Sequence, residues 1–457
     1  MGLNAALNSG RTSLQTNQKA IEITGLNIAN VNTPGYSRQT PNLTPYPALN
    51  FGDYFIGTGV EVGSVKRSHD VFLAGQITTK SAEVGYESAM ANPLAELERV
   101  VGIGERSLSD ELDKFFDSWR QLSTNPGGEV ERQQVLQRGE LAADAFTSVY
   151  NETQGVRKNI NATIDSMVDG VNLHLDEVAQ LNVRIAAIEA VGQDANSDRD
   201  RRDFLLKDLS QMIGARTFET STGSATVQLG NGMPLVEGGQ VTPVQAVSSG
   251  VDTNLELVFG TTTITLGRDA LGGELGGLYE VREVMIPDVV NRLDQLAFTF
   301  ASEVNTQHQV GTGLDAVAGR DFFVALGGVA GSASSLSMSV TATSEIAAGN
   351  SSAPGDNTNA LAILQLEQQQ LLGNDTFVSY YGKLAATVGV ETARNRQAKQ
   401  GFEESLIQLQ NMRDGLDGVS IEEEMINLLQ YQQGFEASAK FLATVDEMMS
   451  TLLTLKR

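Results

Sequence analysis

The chain is predicted to be mainly α-helical and elongated, with a small β insertion and with its N- and C-terminal helices paired as a coiled coil. Three observations predict this. Leu7, Leu14, Ile21 and Ile28 recur every seven residues, with Leu3 and Val31 on the interleaved positions, which is the spacing of a coiled-coil seam. The last 37 residues repeat the pattern through Ile421, Met425, Leu428, Phe435, Ala439, Leu442, Val445, Met449 and Leu452. Between these ends, Glu129 to Val191 holds a 4-3 apolar spacing without a proline, whereas Arg216 to about Glu274 changes to a period of two. Neither terminal stripe can be buried by one helix alone. The simplest partner is the other terminus together with neighbouring copies of the chain, so a multi-domain assembly subunit is the expected class.

Each element follows in order. The first helix is expected to stop at Asn30 to Gly35, because Asn32-Thr33-Pro34-Gly35 places proline and glycine as a type II turn requires. Extended sequence follows from Tyr36 to about Lys66, where Pro41, Pro45 and Pro47 rule out helix and Gly57 to Val65 alternates like a short strand. Helix resumes near Asp70. A further helical stretch carries Phe115, Phe116, Trp119 and Leu122 to a break at Asn125-Pro126-Gly127-Gly128. Ile160, Ile164, Met167, Val171, His174, Val178, Leu181, Ile185 and Ile188 then mark one face of a helix about 95 Å long at 1.5 Å per residue, with Gly155 and Gly170 as places for a bend.

Ala225, Val227 and Leu229, and then Leu255, Leu257 and Phe259, alternate with polar residues as strands of an outer β domain inserted between helical arms. Such an insertion is expected at the periphery, replaceable by a short linker. Helix returns from Tyr279 through Val304, and Gly327 to Ser335 reads as a loop or weak hairpin. The final third is helical, with breaks expected at Gly382, Gly389 and Gly415. The expected domains are 1–66 (N-terminal helix and extended segment), 67–215 (helical domain, first part), 216–275 (β insertion), 276–419 (helical domain, second part, with a Gly/Ser-rich loop at 327–355) and 420–457 (C-terminal helix).

Composition narrows the function classes. At 457 residues, 41% apolar and 19% charged, the chain resembles an ordinary soluble protein of two to four domains. No run of about 18 apolar residues is present, so membrane insertion is not expected, and the first eight residues do not predict a Sec-type signal. The absence of cysteine excludes disulfides, thiol catalysis and cysteine-based metal sites. The net charge of −24 lies in the middle of the chain, because Arg11, Lys19 and Arg38 outweigh Glu22 in residues 1–50 and charges balance in residues 425–457. Burying unpaired charge is costly, so the amide-rich ends suit a crowded interior and the acidic middle suits solvent. Nucleic acid is not an expected partner, since phosphate binding requires a basic patch.

No catalytic or metal constellation emerges. His69 and His308 have no companion at ligand spacing, and His174 reads as a seam residue of the long helix, so no metal or cofactor is expected. Glu422, Glu423 and Glu424 read as first-turn acids favoured by the helix dipole. Glu96 with Glu98, or Asp110 with Glu111, would be the carboxylate pair of a peptidoglycan hydrolase, but neighbours on a helix point to different faces. There is no nucleophile elbow, P-loop or His-Glu-x-x-His motif. The chain is not expected to be an enzyme.

A family resemblance sharpens the reading. Asn27-Ile-Ala-Asn30-Val-Asn32-Thr-Pro34-Gly35-Tyr36-Ser-Arg38-Gln39 resembles the N-terminal fingerprint of the bacterial flagellar axial proteins, the rod, hook and hook-associated subunits. The Pro-Gly-Tyr-Ser-Arg-Gln ending is similar to the hook-associated protein 1 branch of that family. So is the C-terminal Gly418-Val-Ser-Ile421-Glu-Glu-Glu-Met425, followed by Leu429-Gln-Tyr-Gln-Gln433 and Glu436-Ala-Ser-Ala-Lys440. Gly57-Thr-Gly-Val60, Leu293-Asp-Gln-Leu-Ala297, Val304-Asn305, Phe322-Phe323 and Gly355-Asp-Asn357 match in the same order. The middle departs, because the short β insertion leaves no room for a second outer β domain.

The resemblance implies a structural subunit at the junction of hook and filament, outside the cell and exported by the flagellar type III apparatus. Its implied partners are other copies of itself in a ring or helical assembly, the hook protein, the adjoining hook-associated protein on the filament side, and a cytosolic export chaperone on the C-terminal helix. The alternative is another axial subunit of the hook or distal rod. The expected assembly seam is Leu3, Leu7, Leu14, Ile21, Ile28, Met425, Leu428, Phe435, Leu442, Met449 and Leu452, with Asn27, Asn30, Asn32, Pro34, Gly35, Tyr36 and Arg38 as the family motif.

Overall fold

The computed structural model of the protein describes residues 2–50, 55–220, 223–250 and 252–455. Met1, the distal part of the extended segment at 51–54, positions 221, 222 and 251 of the β insertion and the last two residues of the C-terminal helix lie outside the described residues.

Helix α1 (Gly2–Ala29) ends where the turn chemistry predicts. The Tyr36 N–H donates to the Thr33 carbonyl at 3.2 Å, and Gly35 takes φ +82°, which glycine adopts without steric cost. The chain then makes an antiparallel hairpin of β1 (Gln39–Pro45) and β4 (Val60–Arg67), whose far end carries the short pair β2 (Leu49–Asn50) and β3 (Phe55–Ile56). Asp70 caps α2 (Val71–Val100) by accepting from the Phe72 and Leu73 N–H groups at 2.9 and 3.0 Å.

Helix α3 (Leu108–Thr124) precedes α4 (Glu129–Ala190), whose 62 residues pass Gly155 and Gly170 without a break. On α4 the buried row reads Ile160, Ile164, Val168, Val171, Leu175 and Val178, so Met167 and His174, expected in it, are only half-buried. A straight helix of 3.6 residues per turn drifts relative to a strict heptad, and the row steps forward by one residue, from Met167 to Val168 and from His174 to Leu175, to follow it. Helix α5 (Asn196–Ile213) leads into two small antiparallel sheets. The first contains β5 (Arg216–Glu219), β6 (Ala225–Gln228), β7 (Pro234–Glu237) and β8 (Gln240–Val241) in chain order. In the second, β10 (Asp252–Phe259) lies between β9 (Val244–Ser249) and β11 (Thr262–Leu266).

Helix α6 (Gly273–Glu280) runs through a π turn at Val281–Met285 into α7 (Ile286–Val310). The stretch expected as a loop or hairpin contains a single helical turn, α8 (Ser332–Ser335), held because Asp294 accepts from the Gly331 and Ala333 N–H groups, both at 2.8 Å. After α9 (Thr358–Gln365), α10 (Phe377–Asp417) passes unbroken through Gly382, Gly389 and Gly415. Each glycine costs about 1 kcal/mol relative to alanine, but packing against α2 offsets it. Thr392 and Asn395 bond the Leu94 and Glu87 carbonyls at 3.4 and 2.8 Å, which sets α2 and α10 antiparallel. The last element is α11 (Ile421–Leu455).

The centre of the body is aromatic. Phe300 of α7 lies edge-on to Phe115 and Phe377, with centroids 5.2 and 5.5 Å away, and all three are buried. This core continues into the β insertion, since Val227, Leu235, Leu255 and Leu257 belong to the same buried cluster as Val171, Leu175 and Val178 of α4. Three asparagines of α4 bind strand backbone. Asn161 accepts from the Thr253 N–H (3.3 Å), Asn172 exchanges two bonds with Val244 (2.7 and 2.9 Å), and Asn182 bonds both the N–H and the carbonyl of Ala225 (2.9 and 2.8 Å). The insertion is thus not a detached outer unit, because its strands cover an apolar face of α4.

Candidate assembly site: the terminal helices and their root

Helices α1 and α11 pack antiparallel. A Cβ on Gly10 would stand 3.1 Å from Leu442 Cγ, Ser13 and Ser438 share a hydroxyl hydrogen bond of 2.8 Å, and a Cβ on Gly434 would lie 2.6 Å from Asn17 Oδ1. Each step forward in α1 is thus a step back in α11. On α1 the buried positions are small or polar, among them Ala5, Gly10, Thr16, Ala20 and Thr24, with Thr16 donating to the Val60 carbonyl of β4 at 2.9 Å, while Leu3, Leu7, Leu14, Ile21 and Ile28 are half-buried. On α11, Val445 is buried and Leu428, Phe435, Leu442 and Met449 are half-buried against α1.

Met425 and Leu452 do not join this contact and are 45% and 54% exposed. Met425 sits about 100° round the helix from the seam position, which is occupied by Glu424. Leu452 lies beyond Leu442, which already faces Gly10, so α11 runs past the start of α1 there. Ile421, Ile426, Leu429, Phe441, Met448 and Leu453 are also exposed, so the terminal pair carries apolar surface that one chain leaves uncovered.

At the root of the pair the family-motif residues converge. Asn27, 1% exposed, uses its whole amide: Oδ1 accepts from the Tyr36 hydroxyl (2.8 Å) and the Gln39 N–H (3.0 Å), and Nδ2 donates to the Gln39 carbonyl (2.8 Å) and Glu424 Oε2 (3.0 Å). Arg38 Nε donates to Glu424 Oε1 at 2.7 Å, and its Nη1 is 3.2 Å from Glu423. Glu424 is 2% exposed, so the reading of all three acids as simple dipole partners holds for neither Glu423 nor Glu424. Asn30 has a local role, bonding the Leu26 carbonyl and the Thr33 hydroxyl, while Asn32 and Pro34 are exposed on the turn that Gly35 permits.

The same root ties the termini to the body. Asp417, the last residue of α10, accepts the Ser68 hydroxyl (3.0 Å) and the Asp70 N–H (3.2 Å) on its carboxylate and the Arg38 N–H (2.9 Å) on its carbonyl. Asp200 of α5 accepts from the Ser37 N–H (3.0 Å) and Arg67 (2.8 Å), and Arg67 also reaches Asp203 (2.7 Å). Burial opposes the Arg67 charge, but Asp203 and Asp200 outweigh it and hold the guanidinium more firmly protonated. Burial, with help from Asp200 and Glu424, pushes the Tyr36 phenol up to about 12, so it remains a hydrogen-bond donor. Burial and the Arg67 charge push His69 below its ordinary value. A cleft of about 700 Å³ beside this root is lined by residues 30–37, the start of α2, α5, β5 and the end of α10.

Sequence reasoning missed Glu424, Asp417 and Asp200. For Glu424 a signal existed: it shares the heptad phase of Leu428, Tyr431 and Phe435, so an acid stands at a seam position. The carboxylates weighed as a catalytic pair are ion-paired. Asp110 and Glu111 do converge, contrary to expectation, but on Lys114 (2.6 and 2.9 Å), because residues three and four apart share a helix face. Lys114 and the Arg106 N–H hold Asp110 below the ordinary carboxylate range, unlike a general acid. Among the described residues no group of His, Asp and Glu is placed to hold a metal ion, and no helix is long and apolar enough to cross a membrane.

Comparison with known proteins follows this division. Residues 94–323 match the family model described as the flagellar hook-associated protein FlgK helical domain. Residues 7–36 match the flagella basal body rod protein model, and residues 417–455 match the C-terminal model of the flagellar basal body rod FlgEFG proteins. The chain is 27% identical to flagellar hook-associated protein 1 of Bacillus subtilis (strain 168), covering 98% of this chain and 97% of the relative. It is 24% identical to the protein of the same name from Escherichia coli (strain K12), over 99% and 100% of the two chains. Its fold is similar to that of the flagellar hook junction protein FlgK from Burkholderia pseudomallei, with a TM-score of 0.68, 15% identity, and coverage of 76% of this chain and all of that one.

Proposed function

The chain belongs to the family of the flagellar hook-associated protein FlgK, and from that premise we infer that copies of it assemble through the α1–α11 pair to join hook to filament. Its work is structural: it is a subunit of the hook–filament junction of the bacterial flagellum. The models shared with rod proteins match only the termini, whereas the helical-domain model covers the middle, which favours the junction over a rod or hook role.

The observation that carries the assembly reading is the apolar surface of α11, where Ile421, Ile426, Leu429, Phe441 and Leu453 stay exposed after α1 has packed. Neighbouring copies, the hook protein and the adjoining hook-associated protein cover it in the assembled structure, and hydrophobic burial supplies the affinity. Before assembly the same stripe is the surface for a cytosolic export chaperone, and the chain leaves the cell through the flagellar type III apparatus. In this reading residues 1–66 and 420–457 form the axial part, 67–215 and 276–419 the helical body, and 216–275 a β unit laid along α4. Asn27, Tyr36 and Arg38 set the angle at which the axial part leaves the body.

Electron microscopy of flagella from a strain lacking this chain tests the reading. Hooks without filaments, with filament protein shed into the medium, are the expected result; missing hooks would place the chain in the rod or hook instead.

A further inference from the structure

The α1–α11 contact repeats itself. Along α11 a shift of seven residues carries Leu428 onto Phe435 and Phe435 onto Leu442, and along α1 Gly10, Asn17 and Thr24 recur at the same interval, with Gly10 against Leu442 and Asn17 against Gly434. A heptad seam of this kind is nearly indifferent to sliding by one repeat, and a polar residue at a single seam position is the usual device that selects one register. Here the only acid on the seam phase of α11 is Glu424, and the same shift would bring Tyr431 to its place.

We propose that Glu424 sets the register of the terminal helix pair, as a positioning residue acting through Arg38 and Asn27. In the observed register both carboxylate oxygens are paired, at 2.7 Å with Arg38 and 3.0 Å with Asn27, and the carboxylate is buried. A slip of seven residues toward the C-terminus of α11 moves Glu424 out of this pocket and leaves Asn27 and Arg38 facing a tyrosine. Removing one partner from a buried charge pair is strongly unfavourable, which is why such a pair discriminates between registers even where it adds little net stability. The three-residue connection Gly418–Ser420 is a competing constraint, but it yields if the first two turns of α11 unwind to lengthen it.

The chain has no cysteine, so introduced pairs report the register cleanly. In the full-length chain, Ser13→Cys with Ser438→Cys reads the observed register, where the two hydroxyls are 2.8 Å apart. Ser13→Cys with Val445→Cys reads the slipped one. Under mild copper-phenanthroline oxidation, the first pair is expected to cross-link and the second to remain at background. In a Glu424→Leu background, the ratio of native to slipped cross-link is expected to fall at least tenfold. Glu424→Gln, which keeps the size and an acceptor, retains the native preference, as does the apolar control Phe435→Leu. An unchanged ratio in Glu424→Leu would overturn the proposal and assign the register to the connection. Loss of the native cross-link with the slipped one still at background would also overturn it, since Glu424 would then hold the pair together without choosing its register.

The proposal rests on the terminal pair being the assembly seam, and filament attachment in cells carrying the same substitutions separates the two. A slipped register with normal attachment would leave Glu424 as the register residue and remove the seam from assembly.

Discussion

At the scale of single residues, the buried polar groups matter most where both of their hydrogen-bonding sides are used. Asn27 is one case and His308 another. The His308 ring is fully buried, its Nδ1 lies 2.8 Å from the Arg320 carbonyl, and its Nε2 is 2.9 Å from the Ala347 N–H. Only the neutral tautomer with the proton on Nδ1 satisfies both partners. Burial pushes its pKa below the ordinary value, so the unfolded chain takes up a proton more readily than the folded one. The stability this contributes is complete above the unfolded value of about 6.5 and is lost as pH falls below it. Urea midpoints measured from pH 7.5 down to 5.5 should fall steadily for the wild type and less steeply for His308→Gln, with His69 supplying the residual slope in the same direction. Identical slopes would show that His308 does not govern this window. The sequence marked these histidines as poor metal ligands, yet it could not assign His308 a role, because Arg320 and Ala347 reach it through loops whose path depends on the packed body.

At the scale of elements, α4 does two jobs that its periodicity only half reveals. The apolar row was legible because it repeats locally. Asn161, Asn172 and Asn182, spaced about three turns apart, look in sequence like ordinary surface amides, but in the fold each binds strand backbone of the β insertion. Asn182, 2% exposed, also accepts from Arg202 at 3.0 Å. Asn182→Ala leaves the Ala225 backbone and a buried guanidinium short of partners. It should cost about 2–4 kcal/mol by urea denaturation, from roughly 1–3 kcal/mol for each buried group left unsatisfied. A loss under 1 kcal/mol would mean that water replaces the amide there. The glycines of α10 taught the complementary lesson: local propensity predicted breaks, and the long antiparallel contact with α2 overrode it.

At the scale of the whole molecule, a helical body with its β unit is joined to the terminal pair by the short connection 418–420, by the segment 30–70 with its β hairpin, and by one polar root. That layout predicts that the pair can fail without the body failing. Leu442→Asp puts a carboxylate into the contact with Gly10, and Leu14→Asp does the same from α1. Where the site becomes fully buried, either should cost several kcal/mol per interface. Filament attachment should be lost, while the substituted chains keep a protease-resistant core spanning roughly 70–411 and their helical circular dichroism. Wild-type motility with either substitution would show that the stripe does not serve assembly.

The sequence by itself determined the stop of the first helix at the Asn30 to Gly35 turn, the restart of helix near Asp70, the long α4, the period-two insertion and the two terminal stripes. Each of these rests on turn chemistry or periodicity that acts within a few residues. Tertiary structure alone decided that Glu424 is held by Arg38 and Asn27 from the far end of the chain, that Asp417 and Asp200 anchor the root, and that the β unit shares a core with α4. The reason is physical. A stripe shows that a helix needs a partner, but which buried carboxylate meets which guanidinium depends on a non-local register, and that register exists only once the two ends have packed.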